Sequence, residues 1–551
     1  MATELKSEPR TTGLNLVHSH AHEEDVAGTV NVQAIEGDDT AYGQALFPVP
    51  AEDPNDPLQW PRFKKLMILI IICIYSFLGN SALFGVGPYI ILWSEIFGVS
   101  QTEASTLITY PNLAYGLVSW LLVPLYLKFG RRPVMLGSML AFIAGLAGCA
   151  RATTFGGLMA GRIVHCLGAG ICEALPVQLV NDIFFLHERG KQLGYYTFGI
   201  CFAALATLPA AYMLPTRYSW RLFFYVVIAF ASALFVLAFF FVEETSYDRR
   251  RVPYSTTESP NGTTMSSSHD KPKTVVEHAS TVPARKTFLK TIKPTGRIDR
   301  TVPFFTLMWR SLTYVLVPQV LWVITSFGVI IGMGALAFNF VFPIRITVPP
   351  YNWPASSSGV HAVGSVLGFL LGVPFAGTSD RLAAYLTRRN NGIREAEMRL
   401  GVMIPAAVIG PAGLVVYGLT AELNLHWIGF FFGAGMLSWC GFFFYSFTLA
   451  YAVDSYNSNT SEMLIAMNVG KQLVSFGLGL KVLDWILESG YAKVIAGAFG
   501  GVLLANNMFL AVFMIWGKRI RRFMSESWVA KLHGRGSVDK GPIGRNCSNS
   551  G

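Results

Sequence analysis

Twelve apolar stretches, six before and six after a charged segment at residues 243–316, are each long enough to cross a hydrocarbon layer. Few folds can hold such stretches. A backbone in lipid must satisfy its hydrogen bonds internally, which leaves helices and closed barrels. Stretches of about 20 residues are too long for barrel strands of roughly 10, and barrel alternation is missing. The expected fold is an all-α membrane protein, with twelve transmembrane helices in two six-helix halves.

Composition agrees. Hydrophobic residues make up 52% of the 551 and charged residues 14%, against roughly 25% charged in a soluble domain. The expected spans are 66–93, 103–127, 134–152, 155–185, 193–214 and 222–242, then 317–344, 360–376, 401–419, 427–453, 463–487 and 492–517. The longer ones should tilt or bend, and Gly85, Gly87, Pro88 and Pro343 mark expected bends.

Basic residues fix the orientation. Arg62, Lys64 and Lys65, the turn with Lys128, Arg131 and Arg132, then Arg189 and Lys191, all fall on one side of an even-span topology. The central loop, Arg381 to Arg399, and Lys518 to Arg522 continue the series. The alternate loops are poor in Lys and Arg, so both termini are expected in the cytoplasm; the expected location is the plasma membrane. The net charge of +10 is then a topology signal beside anionic lipid and requires no nucleic acid.

The expected organisation is a disordered N-terminal tail at 1–63, halves at 64–242 and 317–517 joined by the loop at 243–316, and a tail at 518–551. No cleavable signal peptide is read at the N-terminus. The Ser/Thr/Pro-rich segment 253–283 reads as a linker. No cysteine pair falls in an outer loop, and the sequons at Asn261, Asn459 and Asn546 fall on the cytoplasmic side, so neither disulfides nor glycans are expected.

Charges inside spans cost free energy and must face a cavity or a partner. On the fourth span Arg162, His165 and Glu173 fall at about 0°, 300° and 20° on a helical wheel of 100° per residue. Glu173 is expected as a proton or cation site, with Arg162 and His165 on the proton route. The plainer alternatives are a carboxyl held neutral in packing, a fixed ion pair and a packed imidazole. The eleventh span carries a polar stripe of Asn468, Lys471, Gln472 and Ser475, expected to line a substrate cavity. Asn80 on the first span and Asn339 on the seventh each precede a proline, so symmetric helices are expected to meet at that cavity. Tyr445 is the expected aromatic contributor. No metal-ligand cluster and no nucleotide-binding glycine loop are found, so no cofactor and no enzyme activity are expected.

Several motifs carry a resemblance. Gly130-Arg131-Arg132-Pro133 follows the second span; Gly161-Arg162 with Gly168 and Gly170 lies in the fourth; and 181–191, Asp56 to Trp60 and Val453 to Tyr456 complete the set. Over roughly residues 53–522 the chain resembles the major facilitator superfamily, in its fungal drug:proton antiporter branch. Two departures stand out. Leu127 or Tyr126 replaces the acid of the turn motif, which survives as Asp380 in the second half, and the fifth span lacks the antiporter Gly-Pro signature.

The resemblance implies two pseudo-symmetric halves around a central cavity. It also implies a cytoplasmic gate of Arg131, Arg132, Asp182, Asp380, Arg381 and Asp454 that latches the halves together. The implied function is proton-coupled efflux of a toxic or secondary-metabolite-like small molecule by a monomer. The alternatives are uptake of a nutrient or of an organic cation such as a polyamine, and a sensor without flux.

Overall fold

The computed structural model describes residues 22–23, 29–31, 53–184, 186–216, 219–247, 287, 291, 293, 298, 303–390, 393–455 and 460–534. The segment 253–283 and the three sequons lie outside them. Among the described residues twelve helices are long and apolar enough to cross a membrane. They are α1 Arg62–Phe97, α2 Gln101–Phe129, α3 Arg131–Arg151, α4 Phe155–Ile183, α5 Gly194–Tyr212 and α6 Trp220–Phe241, then α7 Pro318–Ile346, α8 Ala355–Arg389, α9 Ala396–Leu423, α10 Ile428–Ser455, α11 Ser461–Ser489 and α12 Ala492–Glu526. The face reached by the start of α1 and the end of α12 is called the terminal face. Large apolar side chains such as Phe230, Leu371, Val408 and Ile515 are exposed, as suits a surface meeting lipid.

Glycine sets how closely the helices approach. A Cβ on Gly145 of α3 would lie 2.1 Å from the backbone nitrogen of His165 on α4, and one on Gly368 of α8 would lie 2.1 Å from the carbonyl oxygen of Gly435 on α10. Lipid supplies no hydrophobic drive between helices, so such contact is what holds each half together. Two seams join the halves. Gly116 of α2 packs on the Gln472 side chain of α11, and Gly359 of α8 packs on the Thr207 backbone of α5.

Prolines inside spans free carbonyls, because a proline at i cannot donate to the carbonyl at i−4. Three such carbonyls find side-chain donors. Pro111 frees Leu107, whose oxygen accepts from Arg162 Nε at 2.8 Å. Pro176 frees Cys172, which accepts from the Ser76 and Tyr196 hydroxyls at 3.0 and 2.8 Å. Pro411 frees Ala407, which accepts from Asn507 Nδ2 at 2.9 Å. Arg162 also donates to Ala82 and Leu83 at 2.7 and 2.9 Å, carbonyls left over where α1 breaks before Gly87-Pro88-Tyr89.

Some residues of both expected tails take part in structure at the terminal face. Asp56 caps the Pro57–Gln59 turn, and Tyr247 donates to Asp53 at 2.8 Å. His22–Glu23 pairs antiparallel with Thr29–Asn31, which in turn pairs antiparallel with Ile393–Glu395. α12 continues to Glu526, past the expected edge at 517, because Lys518 and Arg521 pair with Glu395 and Glu397 at 2.6 and 2.7 Å.

Inside the expected loop, a helix at Phe304–Thr313 straddles the α2–α11 seam. Trp120 of α2 donates to the Met308 carbonyl at 2.8 Å, and Arg310 makes a two-point bond to Glu462 of α11, with Nε to Oε2 at 2.7 Å. A C-terminal helix, Trp528–Gly534, docks on it. There His533 stacks on Tyr314 at 3.7 Å and lies 2.7 Å from the Thr313 hydroxyl. Burial lowers the Arg310 pKa, but Glu462 outweighs that and raises it. Burial, then the Arg310 charge, pushes the His533 pKa down to about 4.

Two outcomes are expected. Arg162→Met should destabilise the protein by about 3 kcal/mol or more, since it orphans three buried carbonyls. Adding Pro111→Ala should recover part of that loss, because it returns an N–H to Leu107; thermal unfolding in detergent of both singles and the double checks the coupling. Docking of the C-terminal helix requires a neutral His533. Its contribution should be complete above the ordinary imidazole pKa near 6.5 and should weaken about tenfold per pH unit as pH falls toward 4. Hydrogen exchange at 528–534, corrected for intrinsic rates, should show this in the wild type and not in His533→Phe.

Candidate functional site

The fourth span is not one continuous α-helix. It runs as α-helix over Phe155–Ala169, tightens to a 3-10 turn at Gly170–Glu173, and resumes at Leu175–Ile183 behind Pro176. The Ser76 and Tyr196 hydroxyls hold the turn through the Cys172 carbonyl. Glu173 ends the turn, and its carboxylate meets Lys471 Nζ of α11 at 2.6 Å. The two side chains are only 13% and 10% exposed. Both residues stand about three turns from the terminal-face end of their spans, roughly 15 Å deep. The pair joins the two halves near mid-membrane.

Aromatic and amide groups surround it. Lys471 Nζ lies 5.6 Å from the Phe327 ring centroid, and the Phe327 ring lies 4.5 Å from that of Tyr445, tilted by 43°; Tyr445 sits in a π-turn of α10 at Phe444–Thr448. Tyr115, Tyr196 and Tyr445 all feel the Glu173 charge. Asn80 Nδ2 donates to the Tyr115 hydroxyl at 3.2 Å and to the Ser76 carbonyl at 3.0 Å. Asn112 Nδ2 donates to Ser475 across the seam at 3.2 Å. Asn468, Lys471, Gln472 and Ser475 are all buried, so the whole α11 stripe turns inward.

Other expected members stand elsewhere. A 3-10 turn advances about 120° per residue rather than 100°, so four such residues carry Glu173 roughly 80° away from the face predicted for it with Arg162 and His165. Arg162 is committed to backbone carbonyls, with no carboxylate among the partners described above. His165 is fully buried, its Nδ1 against the Arg162 carbonyl and its ring stacked 6.1 Å from Phe142. Asn339 lies against Gly87, whose Cβ would fall 2.9 Å from its Oδ1. That contact joins α1 to α7 on the side away from the terminal face.

The residues expected as a gate pair within halves. Arg131 meets Asp182 at 3.0 Å, both in the first half. Arg399 meets Asp454 at 2.5 Å and Asp380 at 3.6 Å, all in the second. Arg132 donates to the Phe239 carbonyl at 2.6 Å and to that of Thr291. Arg381 is exposed, with no ion pair found among the described residues. The acid missing at Leu127 is supplied from elsewhere: Glu244 accepts from the backbone nitrogens of Arg131 and Arg132 at 3.0 and 3.2 Å.

Tyr115, Tyr196, Phe327 and Asn112 escaped sequence reasoning. Asn112 had a signal, an amide beside Pro111 in an apolar span. The aromatics had none, because the spans are full of similar rings.

Comparison with known proteins agrees with this architecture. The Major Facilitator Superfamily profile matches residues 69–480. The MFS-type transporter penM of Penicillium rubens is 25% identical over 492 residues, covering 85% of this chain and 88% of that one. The MFS transporter cpaT of Aspergillus oryzae is 27% identical, covering 85% and 90%. The efflux pump vrtL of Penicillium aethiopicum is 24% identical, covering 85% and 86%. Twelve apolar helices in two seamed halves, matched by a family profile over most of the chain, make this protein a multi-pass membrane transporter of the major facilitator superfamily and not an enzyme.

Proposed function

We propose that the protein exports a small organic molecule by proton-coupled alternating access. In this reading it is a monomer in the plasma membrane with both termini cytoplasmic, and its cargo is a toxic or secondary-metabolite-like compound. The observation that carries the reading is the Glu173–Lys471 ion pair, which ties one half to the other at mid-membrane. Breaking a buried pair by removing one partner costs about 3–5 kcal/mol, because the other charge is left uncompensated. A proton on Glu173 removes that charge and frees Lys471. Proton binding thereby becomes linked to the separation of the halves, which is the motion that alternating access needs.

The seams supply the hinge. On the side away from the terminal face, Gly87 meets Asn339, and the Thr207 hydroxyl donates to the Gly359 carbonyl at 3.0 Å. Nearer the terminal face, Ser461 donates to Gln178 at 3.3 Å. One set opens while the other holds. The Arg131–Asp182 and Arg399–Asp454 pairs stiffen each half at its terminal end so that it moves as a body. Efflux is favoured by the likeness to vrtL, described as an efflux pump.

In proteoliposomes, Glu173→Gln should lower flux of a labelled organic probe under an imposed pH gradient at least tenfold. Equal gradient-driven flux in variant and wild type would remove Glu173 from the coupling. Deleting the gene from its host should raise sensitivity to a toxin; failure to grow on a nutrient instead would reverse the direction.

A further inference from the structure

The site holds acceptors that no donor among the described residues meets. Besides the Glu173 carboxylate, Asn112 Oδ1 and Gln472 Oε1 are buried with no hydrogen-bond partner among the described residues. Both side chains are at least 98% buried, Asn112 at 0% exposure and Gln472 at 2%. Gln472 follows Lys471 directly, and Asn112 lies one turn before Gly116, on which Gln472 packs. The cation that meets the carboxylate is Lys471, placed 2.6 Å from it and 5.6 Å from the Phe327 ring. Phe327 and Tyr445 form one aromatic wall. The other ionisable groups in reach of the carboxylate are Tyr115, Tyr196, Tyr445 and Cys172.

A carboxylate, an aromatic wall and unpartnered carbonyl-type oxygens form the chemistry that holds an ammonium, through its charge, its N–H donors and cation–π attraction. An anionic ligand would face Glu173 and two bare acceptors. A neutral ligand would leave those acceptors unsatisfied unless it carried donors of its own. Lysine is itself an alkylammonium, a compact charge on a flexible four-carbon stem that can swing away. We propose that this site, taken as the transport site above, binds an organic primary or secondary ammonium that displaces the Lys471 ammonium from Glu173. The Lys471 side chain is then a tethered occupant that fills the place between substrates and must be displaced by each one.

The test is binding to purified full-length protein in nanodiscs, without a gradient, using 2-phenylethylammonium, 3-phenylpropionate and 2-phenylethanol as probes. The ammonium should bind the wild type, and the carboxylate and the alcohol should not. Lys471→Met should bind the ammonium about tenfold more tightly, because the competitor is gone, and Glu173→Gln should lose it. If Lys471→Met does not fold, Lys471→Arg takes its place: a guanidinium grips the carboxylate in two places, so ammonium binding should weaken at least threefold. Preference for the carboxylate or the alcohol, or unchanged or weaker ammonium binding in Lys471→Met, overturns the proposal, as does unchanged or tighter binding in Lys471→Arg. Because binding is read without flux, loss of ammonium selectivity is distinguishable from failure of the proton-coupled reading, which the pH-gradient flux decides separately.

Discussion

A carbonyl released by a proline inside a membrane has no water to turn to, and the protein must supply the missing donor. Much of this fold follows from that demand. Pro111, Pro176 and Pro411 each remove a backbone donor from a span, and each freed carbonyl recruits a side chain from another helix: Arg162, the Ser76 and Tyr196 hydroxyls, and Asn507. These bonds tie bends to neighbours and make the irregular parts of the spans as fixed as the regular ones. Arg162 is the extreme case. A buried guanidinium has its cost offset by three carbonyls that would otherwise be unpaired.

The same demand positions the central charge. Pro176 and the glycines before it tighten α4 into a 3-10 turn, and the donors that satisfy the freed Cys172 carbonyl hold that turn against α1 and α5. Glu173 therefore projects from a rigid corner toward α11. A buried ion pair contributes little to stability once desolvation is counted, so the Glu173–Lys471 contact adds little as a brace. The pairs at the terminal face, Arg131–Asp182 and Arg399–Asp454, differ in kind, since each stays inside one half.

Much of the site was readable from residue spacing. The stripe from Asn468 to Ser475 falls on one face at ordinary helical spacing, and α11 is regular helix through that stretch, so all four residues turn inward together. Asn80 likewise lies beside the site, bonded to Tyr115. The wheel failed on α4, where a 3-10 turn breaks the constant rotation it assumes. The turn motif hid its acid for another reason: Glu244 stands more than a hundred residues from the Arg131 and Arg132 amides it binds, and no local pattern reports such a contact.

The number of spans, their grouping into six and six, the side on which basic residues gather and the inward stripe of α11 were all set by the sequence alone. Each is a matter of composition or of short-range period, and lipid enforces both directly. Which residues meet was decided only by the tertiary structure: Glu173 with Lys471, Arg162 with the carbonyls of α1 and α2, Arg310 with Glu462. Those pairings join positions far apart in the chain, and they depend on where prolines and glycines bend the helices and on how closely the bent helices can pack.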